Sequence, residues 1–167
     1  MAKIDWKIRE FGMADAPAFA ALNRRWIDEM FGMEEKDRRQ LEHPKNAILD
    51  PGGYIAVADA NGWVVGTGAI LPAAQAPDDG HRWMEIVKMA TDPSAQGQGI
   101  GSAVVDRLVD EAHARGSDRI WLETNHKLEA ATALYERKGF VALSDDEVWE
   151  TPYDRCNLQM VLTLRAD

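Results

Sequence analysis

The sequence has few of the residues on which disulfides and metal sites are built. Among its 167 residues there is one cysteine, Cys156, so neither an internal disulfide nor a cysteine-built metal site can form. The length also excludes a disulfide-stapled mini-protein. We expect no metal, because the four histidines lack metal-ligand spacing. They are His43, His81, His113 and His126.

Positive charge and long apolar runs are also scarce. Lysine and arginine number 19 against 28 aspartates and glutamates, which gives a net charge of −9 and a pI near 4.9. A field of this sign repels polyanions, and no basic stripe offsets it, so we expect no nucleic-acid partner. No apolar run approaches the roughly 20 residues that span a bilayer, and residues 1–6 lack a signal-peptide layout. These features predict a cytoplasmic protein with no membrane partner.

Composition is even along the chain, without linkers or repeats, so we expect one domain over residues 1–167. The first half predicts a strand at 6–11, an amphipathic helix from Asp15, and a charged, less buried helix at 34–42. The apolar face of the first of these helices is assigned to Phe19, Leu22, Trp26 and Met30. Two strands at 54–59 and 63–71 flank Asn61-Gly62, the strongest short hairpin signal.

The second half alternates between strands and helices. Strands are predicted at 82–91, 119–123, 140–143 and 156–164, and helices at about 101–115 and 128–138, each followed by a glycine. The first of these helices has the apolar spine Ile100, Val104, Leu108 and Ala112. This order predicts an α/β sandwich with a mixed sheet.

A glycine-rich turn at 96–101 leads directly into this helix. The start of a helix exposes unpaired N–H groups and attracts anions, and glycines let a phosphate approach the backbone. One alternative is merely a tight loop. Another is the dinucleotide fingerprint Gly97-x-Gly99-x-x-Ser102 of a nicotinamide-dependent oxidoreductase, with Glu123 as the ribose-binding acid. However, that fingerprint normally opens the first strand–helix turn of a chain. A P-loop is excluded because no Gly-Lys-Ser/Thr occurs.

Three segments resemble the GNAT superfamily of acyl-CoA-dependent N-acetyltransferases. Gln96-Gly97-Gln98-Gly99-Ile100-Gly101 matches its Gln/Arg-x-x-Gly-x-Gly/Ala signature. Residues 85–93, Glu-Ile-Val-Lys-Met-Ala-Thr-Asp-Pro, extend the match upstream, and residues 133–140, Ala-Leu-Tyr-Glu-Arg-Lys-Gly-Phe, resemble its Leu-Tyr-Glu-Lys-x-Gly-Phe segment. The resemblance implies a mostly antiparallel sheet with helices on both faces, acetyl-CoA as co-substrate, and a family in which homodimers are common.

The resemblance also implies where CoA binds. Backbone amides at 98–102 would hold the pyrophosphate, and the strand that ends at Thr91 would pair with the pantetheine arm, in a V-shaped opening beside strand 119–123. Many members carry an asparagine seven residues before the tyrosine, but this chain has Leu128 at that position. The nearest asparagine is Asn125, for which a loop or helix-capping role is the alternative to a contact with CoA. The implied contacts are Met89, Ala90, Thr91, Gln96, Gly97, Gln98, Gly99, Ile100, Gly101, Ser102 and Asn125.

Amide formation from a thioester requires a neutral amine, whereas an alkyl amine has a pKa of about 10.4. Glu85 lies in mid-strand, where acidic residues are depleted, and strict alternation places it on the face of Val87 and Met89. A salt-bridged or exposed glutamate is the structural alternative. The resemblance favours Glu85 as general base, directly or through water. It also implies that the Met89 N–H bonds the thioester oxygen.

Tyr135 is the candidate acid that protonates the departing thiolate, with simple packing beside Leu134 as its alternative. Cys156 begins a strand without evident activation, so we expect direct attack by the amine. In this superfamily the first helices and the late loop cover the acceptor side. Trp26, Phe31 and Trp149 are therefore candidates for the acceptor pocket, although core packing suits Trp26 better.

The resemblance thus predicts an N-acetyltransferase that acts on a primary amine of a small molecule or peptide. The alternatives are an acyl-CoA-binding module without catalysis and the nicotinamide-dependent oxidoreductase. The sequence leaves the acceptor open among a polyamine, an antibiotic, an amino acid and a protein terminus.

Overall fold

A computed structural model describes residues 2–165 of the chain. Its strands are β1 (Lys7–Glu10), β2 (Tyr54–Ala60), β3 (Trp63–Pro72), β4 (Trp83–Thr91), β5 (Arg119–Thr124), β6 (Val141–Ala142) and β7 (Leu158–Thr163). Its α-helices are α1 (Ala16–Met30), α2 (Glu35–Glu42), α3 (Ile100–Ala114) and α4 (Glu129–Arg137), and a π-helical turn spans Lys45–Leu49.

The strands form one seven-stranded sheet in the order β1-β2-β3-β4-β5-β7-β6. Every neighbouring pair is antiparallel except β4 and β5, which are parallel. Helices cover both faces, because α3 and α4 pack in one apolar core and α1 and α2 in the other. The predicted mixed, mostly antiparallel sheet is therefore confirmed.

The side chains of β2 contribute to the apolar cores on both faces of the sheet. Tyr54, Ala56 and Ala58 face the core that contains α3, whereas Ile55 and Val57 face the core that contains α1. Neighbouring side chains of a strand point to opposite faces, so a strand covered on both sides is apolar throughout. This continuous burial fits an interior strand, which β2 is, between β1 and β3.

Two local predictions agree with the structure. The hairpin between β2 and β3 turns at Asn61 and Gly62, with φ values of 53° and 91°, as expected for an Asn-Gly turn. Helix α3 buries its four predicted spine residues. Within residues 2–165, no helix is both long and apolar enough to cross a membrane.

The predicted apolar face of α1 was right for Phe19, and Trp26 packs against the same core, but it was wrong for Met30. The buried residues are Phe19, Ala20, Asn23 and Ile27, while Met30 is 44% exposed. The polar Asn23 hides this stripe in the sequence. Its buried Nδ2 donates to the Phe19 carbonyl at 2.9 Å and to Thr67 Oγ1 at 3.2 Å, which makes its burial tolerable.

The prediction that α2 is less buried was also wrong for one of its faces. Asp37, Gln40 and Leu41 are buried, with exposures of 0%, 1% and 2%. Leu41 joins the core beside α1, whereas Gln40 lines a cavity described below and Asp37 is bonded to Lys88 and Arg155. The many charged residues of α2 therefore do not mean that every face of this helix is exposed to solvent.

Strands β4 and β5 separate soon after they meet. Their pairing runs only from Trp83 to Glu85 on β4, which leaves the rest of β4 open on that side. Near the opening, Lys88 adopts a φ of +56°, and the register with β3 shifts between Thr67 and Ala69. This is a β-bulge, which bends a strand and redirects its side chains.

Because of the bulge, one prediction was wrong, namely that strict alternation places Met89 on the same face as Glu85. Val87 packs in the core with α1, but Met89 packs in the core with α3, so Met89 does not share a face with Glu85 through simple alternation. An extra residue in a strand reverses the faces of all residues beyond it. The opening between β4 and β5 nevertheless brings Met89 and Glu85 to one cavity.

Candidate active site

A cavity of about 360 Å³ lies at the opening between β4 and β5. Its lining includes residues from β4, from the end of β5, from α4 and from the end of α1. Thus the predicted base and acid, Glu85 and Tyr135, meet in one space although 50 positions separate them in the chain. The predicted site residues that line it are Trp26, Phe31, Glu85, Met89, Ala90, Thr91, Gln96, Asn125 and Tyr135.

Glu85 is buried, with 3% exposure, and its Oε1 lies 3.3 Å from the Lys36 ammonium. Burial raises the pKa of Glu85 above its usual value, while the positive charges of Lys36 and Lys88 oppose that rise. Glu85 is therefore salt-bridged as well as desolvated. A carboxylate with a raised pKa binds a proton more readily near neutral pH, which suits a general base.

Tyr135 on α4 is 6% exposed, and its ring packs edge-on against Phe140 with ring centroids 5.8 Å apart. Burial raises its pKa above 10, so the phenol stays protonated at neutral pH. Tyr135 therefore has the packing role that was its alternative, and its role as an acid stays a prediction.

The glycine turn leaves its backbone accessible. Gly97 and Gly99 have φ values of +77° and +79°, and a Cβ atom on either would meet nothing within 4 Å. Gly99 precedes α3 directly, so the first N–H groups of the helix have no intrahelical partner. The Gln98 side chain points to the N-terminal segment, where its Oε1 accepts from the Ile4 N–H at 2.7 Å. This arrangement presents main-chain donors, as an anion site requires. The turn continues into the helix as Ile100, Gly101 and Ser102.

Asn125 is 8% exposed and bonded within the chain at both ends of its amide. Its Nδ2 donates to the Arg155 carbonyl at 2.6 Å, and its Oδ1 accepts from the Lys127 N–H at 2.8 Å. These bonds give Asn125 the structural role that was its alternative. A contact with CoA stays a prediction.

Trp149 packs against two other tryptophans, and its role in the acceptor pocket stays a prediction. It stacks on Trp121 with ring centroids 4.5 Å apart and packs edge-on against Trp83 at 4.8 Å. It lines neither this cavity nor the second one described below. By contrast, Trp26 and Phe31 contact each other edge-on at 6.5 Å on the cavity wall. In the loop between β6 and β7 (residues 143–157, called the late loop below), Trp149 therefore packs against Trp83 of β4 and Trp121 of β5.

Sequence reasoning missed a buried charge network behind Glu85. Asp37 accepts from Lys88 Nζ at 2.5 Å and from both terminal nitrogens of Arg155 at 2.5 and 2.8 Å. Burial alone would raise the pKa of Asp37, but the two cations outweigh it and lower the pKa to about 2. The Tyr153 ring lies under Arg155, 4.2 Å from the guanidinium carbon. The network joins α2, the bulge and the late loop, whose members lie up to 118 positions apart.

Glu123 was considered only as a ribose ligand, but it lines the same cavity as Glu85. Its Oε1 accepts from Thr151 Oγ1 at 2.7 Å, and the Cys156 thiol is a second neighbour of the carboxyl. Burial raises the pKa of Glu123 and raises that of the neighbouring Cys156 thiol to about 12. Cys156 is therefore a thiol, not a thiolate nucleophile, at neutral pH. Across residues 2–165, no group of three or more potential ligands is placed to hold a metal ion.

The chain resembles known proteins in sequence and in fold. The acetyltransferase (GNAT) family profile matches residues 19–140. Mycothiol acetyltransferase of Beutenbergia cavernae is 34% identical over 143 residues, which are 83% of this chain but 46% of that protein. IAA acetyltransferase of Azospirillum brasilense is 31% identical over 116 residues, 70% of each chain. The chain thus spans about half the length of the first of these relatives.

Solved structures share the fold. A GNAT-family acetyltransferase of Staphylococcus aureus Mu50 superposes with a TM-score of 0.83 at 20% identity, covering 96% of this chain and 100% of that one. The structure of yncA from Salmonella typhimurium, with its cofactor acetyl-CoA, gives a TM-score of 0.76 at 21% identity and covers 97% and 95%. With the profile match over most of its length, this chain belongs to the acetyltransferase (GNAT) family.

Proposed function

We propose that the protein is an N-acetyltransferase that moves the acetyl group of acetyl-CoA to a primary amine by direct attack. The observation that carries the proposal is the convergence of Glu85, Met89 and Tyr135 on one cavity at the point where β4 leaves β5. Family membership favours this function over the nicotinamide-dependent oxidoreductase that the glycine pattern alone left open.

In this proposal the glycine turn holds the CoA pyrophosphate. The open space beside Gly97 and Gly99 and the free donors at the start of α3 fit an anionic group. The open side of β4 from Ile86 to Thr91 has backbone groups that β5 does not pair, and these suit the amides of the pantetheine arm. Bound in this way, acetyl-CoA supplies the thioester to the cavity.

The chemistry then needs one proton acceptor, one oxyanion donor and one proton donor. Glu85 takes a proton from the attacking amine, directly or through water, while the amine nitrogen forms its bond to the acetyl carbon. The Met89 N–H stabilises the negative charge that develops on the carbonyl oxygen. When the carbon–sulfur bond breaks, the Tyr135 hydroxyl gives its proton to the CoA thiolate.

Measurements of binding test the proposed acetyl-CoA site, and measurements of turnover test the proposed catalytic roles. Isothermal titration should show acetyl-CoA bound and NAD not bound, and free-thiol release should depend on an added primary amine. Glu85→Gln keeps the size of the side chain but cannot accept the proton. It should lower kcat by about 100-fold or more, within the range of general-base contributions, with an unchanged acetyl-CoA Kd.

Glu123→Gln is the matched control, because it changes a second buried carboxyl of the same cavity. It should lower kcat much less than Glu85→Gln. If Glu85→Gln turns over like the wild type at pH 7, Glu85 is not the base. If Glu123→Gln shows the larger loss, Glu123 is the base.

A further inference from the structure

A second cavity lies on the other side of the Lys36–Glu85 ion pair. It measures about 930 Å³, within the range of about 300 to 1,000 Å³ that is usual for small-molecule sites. Helix α2, the π-helical turn, the end of β3 and the loop after β3 line it. Lys36 and Glu85 line this cavity as well as the first one, so their ion pair forms a shared wall.

Two glutamine side chains that line this second cavity have a buried carbonyl oxygen without a hydrogen-bond partner in the described chain. Gln40 on α2 is 1% exposed, and its Oε1 is buried without a partner within residues 2–165. The Oε1 of Gln75, in the loop after β3, is buried and unpartnered in the same way. A buried polar group without a partner costs about 1–3 kcal/mol, so native chains keep few of them.

The position of these atoms is informative. The two glutamine oxygens are buried and unpartnered within the described chain, and both belong to residues that line this one cavity. Elsewhere the chain satisfies even its difficult polar groups, as the bonds of Asn23 show. Orphaned amides are expected where a ligand completes them.

We propose that the second cavity is the acceptor site and that Gln40 and Gln75 select amines that carry further hydrogen-bond donors. The inference rests on the proposed function, because the amine must reach Glu85. Its ammonium or amine group meets Glu85 at the shared wall, where it displaces Lys36 from the carboxylate. Its hydroxyl or N–H groups donate to the two glutamine carbonyls.

The probes are serinol (2-amino-1,3-propanediol) and isopropylamine, which share a carbon skeleton and differ by two hydroxyl donors. With saturating acetyl-CoA, thiol release should give serinol a kcat/KM at least tenfold above that of isopropylamine. Gln40→Met and Gln75→Met preserve volume but remove the carbonyl. Each should reduce the serinol preference by about 5- to 100-fold, as expected for one buried hydrogen bond. The acetyl-CoA Kd should not change.

The stability of Gln40→Met gives a readout that a purely structural glutamine would not give. Because the amide oxygen has no partner in the free protein, its removal should raise Tm by a few degrees. A glutamine that held the fold together would lower Tm on the same change. A lowered Tm would therefore contradict the assignment.

Filling the cavity tests its role without relying on either glutamine. Ala74 lines the cavity and is exposed, so Ala74→Trp should fold, block amine-dependent thiol release with both amines, and leave the acetyl-CoA Kd unchanged. Ala21→Trp places the same bulk on an exposed position of α1 that lines neither cavity, and it should behave like the wild type.

The outcomes separate this inference from the proposed function. If acetyl-CoA does not bind, the proposed function fails. If acetyl-CoA binds but the wild type shows no preference for serinol, or the glutamine variants keep that preference, or Ala74→Trp keeps full amine-dependent release, the acceptor assignment is overturned and the proposed function stands.

Discussion

Single residues in this site owe their chemistry to partners that lie far away in the sequence. Glu85 is almost completely buried, so its ionised carboxylate is stabilised by nearby positive charges rather than by water. Lys36, 49 positions earlier, supplies the nearest such charge at 3.3 Å, and Lys88 adds a weaker contribution. The proton affinity of Glu85, the proposed base, is therefore a balance between burial and two cations.

Removing one cation should shift that balance in a known direction. Lys36→Met deletes a charge that favours the ionised form of Glu85, so the pKa of Glu85 should rise further. Because the base must be deprotonated to act, the acidic limb of the profile of kcat/KM against pH should move to higher pH.

The control for this variant is Lys138→Met, which breaks an ion pair with Asp106, because neither of these residues lines either cavity. Its pH profile should overlay the wild type. A Lys36→Met profile that stays in place, or moves to lower pH, would show that Lys36 does not set the proton affinity of the base.

At the scale of elements, the glycine turn and the start of α3 form one unit. Gly99 has a φ of +79°, which side chains other than glycine adopt at a cost of about 1–2 kcal/mol. Gly99→Leu should therefore lower stability by about that amount. It should also raise the acetyl-CoA Kd tenfold or more, because the side chain enters the space left for the phosphates.

Gly80 provides a matched comparison. It has a φ of +81° in the loop before β4, and a Cβ atom there also meets nothing within 4 Å. Gly80→Leu should show the same loss in urea unfolding with an unchanged Kd in titration calorimetry. Equal Kd values for the two variants would mean that the turn does not hold CoA.

The tryptophan stack of the late loop is a second element with a separable role. Trp149→Ala removes an aromatic contact to Trp121 and Trp83, and we expect a loss of about 3 kcal/mol of unfolding free energy. The KM for the amine should stay at its wild-type value, since Trp149 lines neither cavity. Trp63→Ala, at a position 78% exposed, should change neither quantity.

Elements with a strong local signal could be predicted from the sequence. The Asn61-Gly62 hairpin and the glycine turn depend on backbone conformations that few residues adopt, and the spine of α3 is uninterrupted. The face of α1 could not be predicted, because Asn23 is buried by its bond to Thr67, 44 positions away. The bulge at Lys88 has no local signal at all.

The candidate site likewise contains residues that could be predicted from the sequence and residues that could not. Glu85 and Tyr135 were identified because their motifs resemble a family. Asp37, Gln40 and Gln75 could not be identified in this way. The first two lie in α2, whose sequence is typical of a polar helix, and Gln75 lies in a loop. Their burial results from contacts between α2, β4 and the late loop, so it becomes visible only in the folded chain.

For the molecule as a whole, Asp37 is the residue that joins three distant segments. It is fully buried and pairs with both Lys88 and Arg155, whose side chains are 3% and 10% exposed. Breaking a buried ion pair by removing one partner typically costs about 3–5 kcal/mol, because the other charges stay buried. Asp37→Asn should therefore destabilise the folded protein by that amount in urea unfolding at pH 7. Asp110→Asn, on an exposed position of α3, should stay within about 0.5 kcal/mol of the wild type.

The same residue predicts how stability depends on pH. The pKa of Asp37 falls from 3.8 to about 2 on folding, so its ionised form favours the folded state. That contribution is complete above about pH 4 and disappears as the pH falls through about 2, where the folded protein also protonates Asp37. The difference in unfolding free energy between the wild type and Asp37→Asn should thus be constant from pH 5 to 7 and narrow between pH 4 and 2. A difference that stays constant down to pH 2 would show that Asp37 stabilises the fold without its charge.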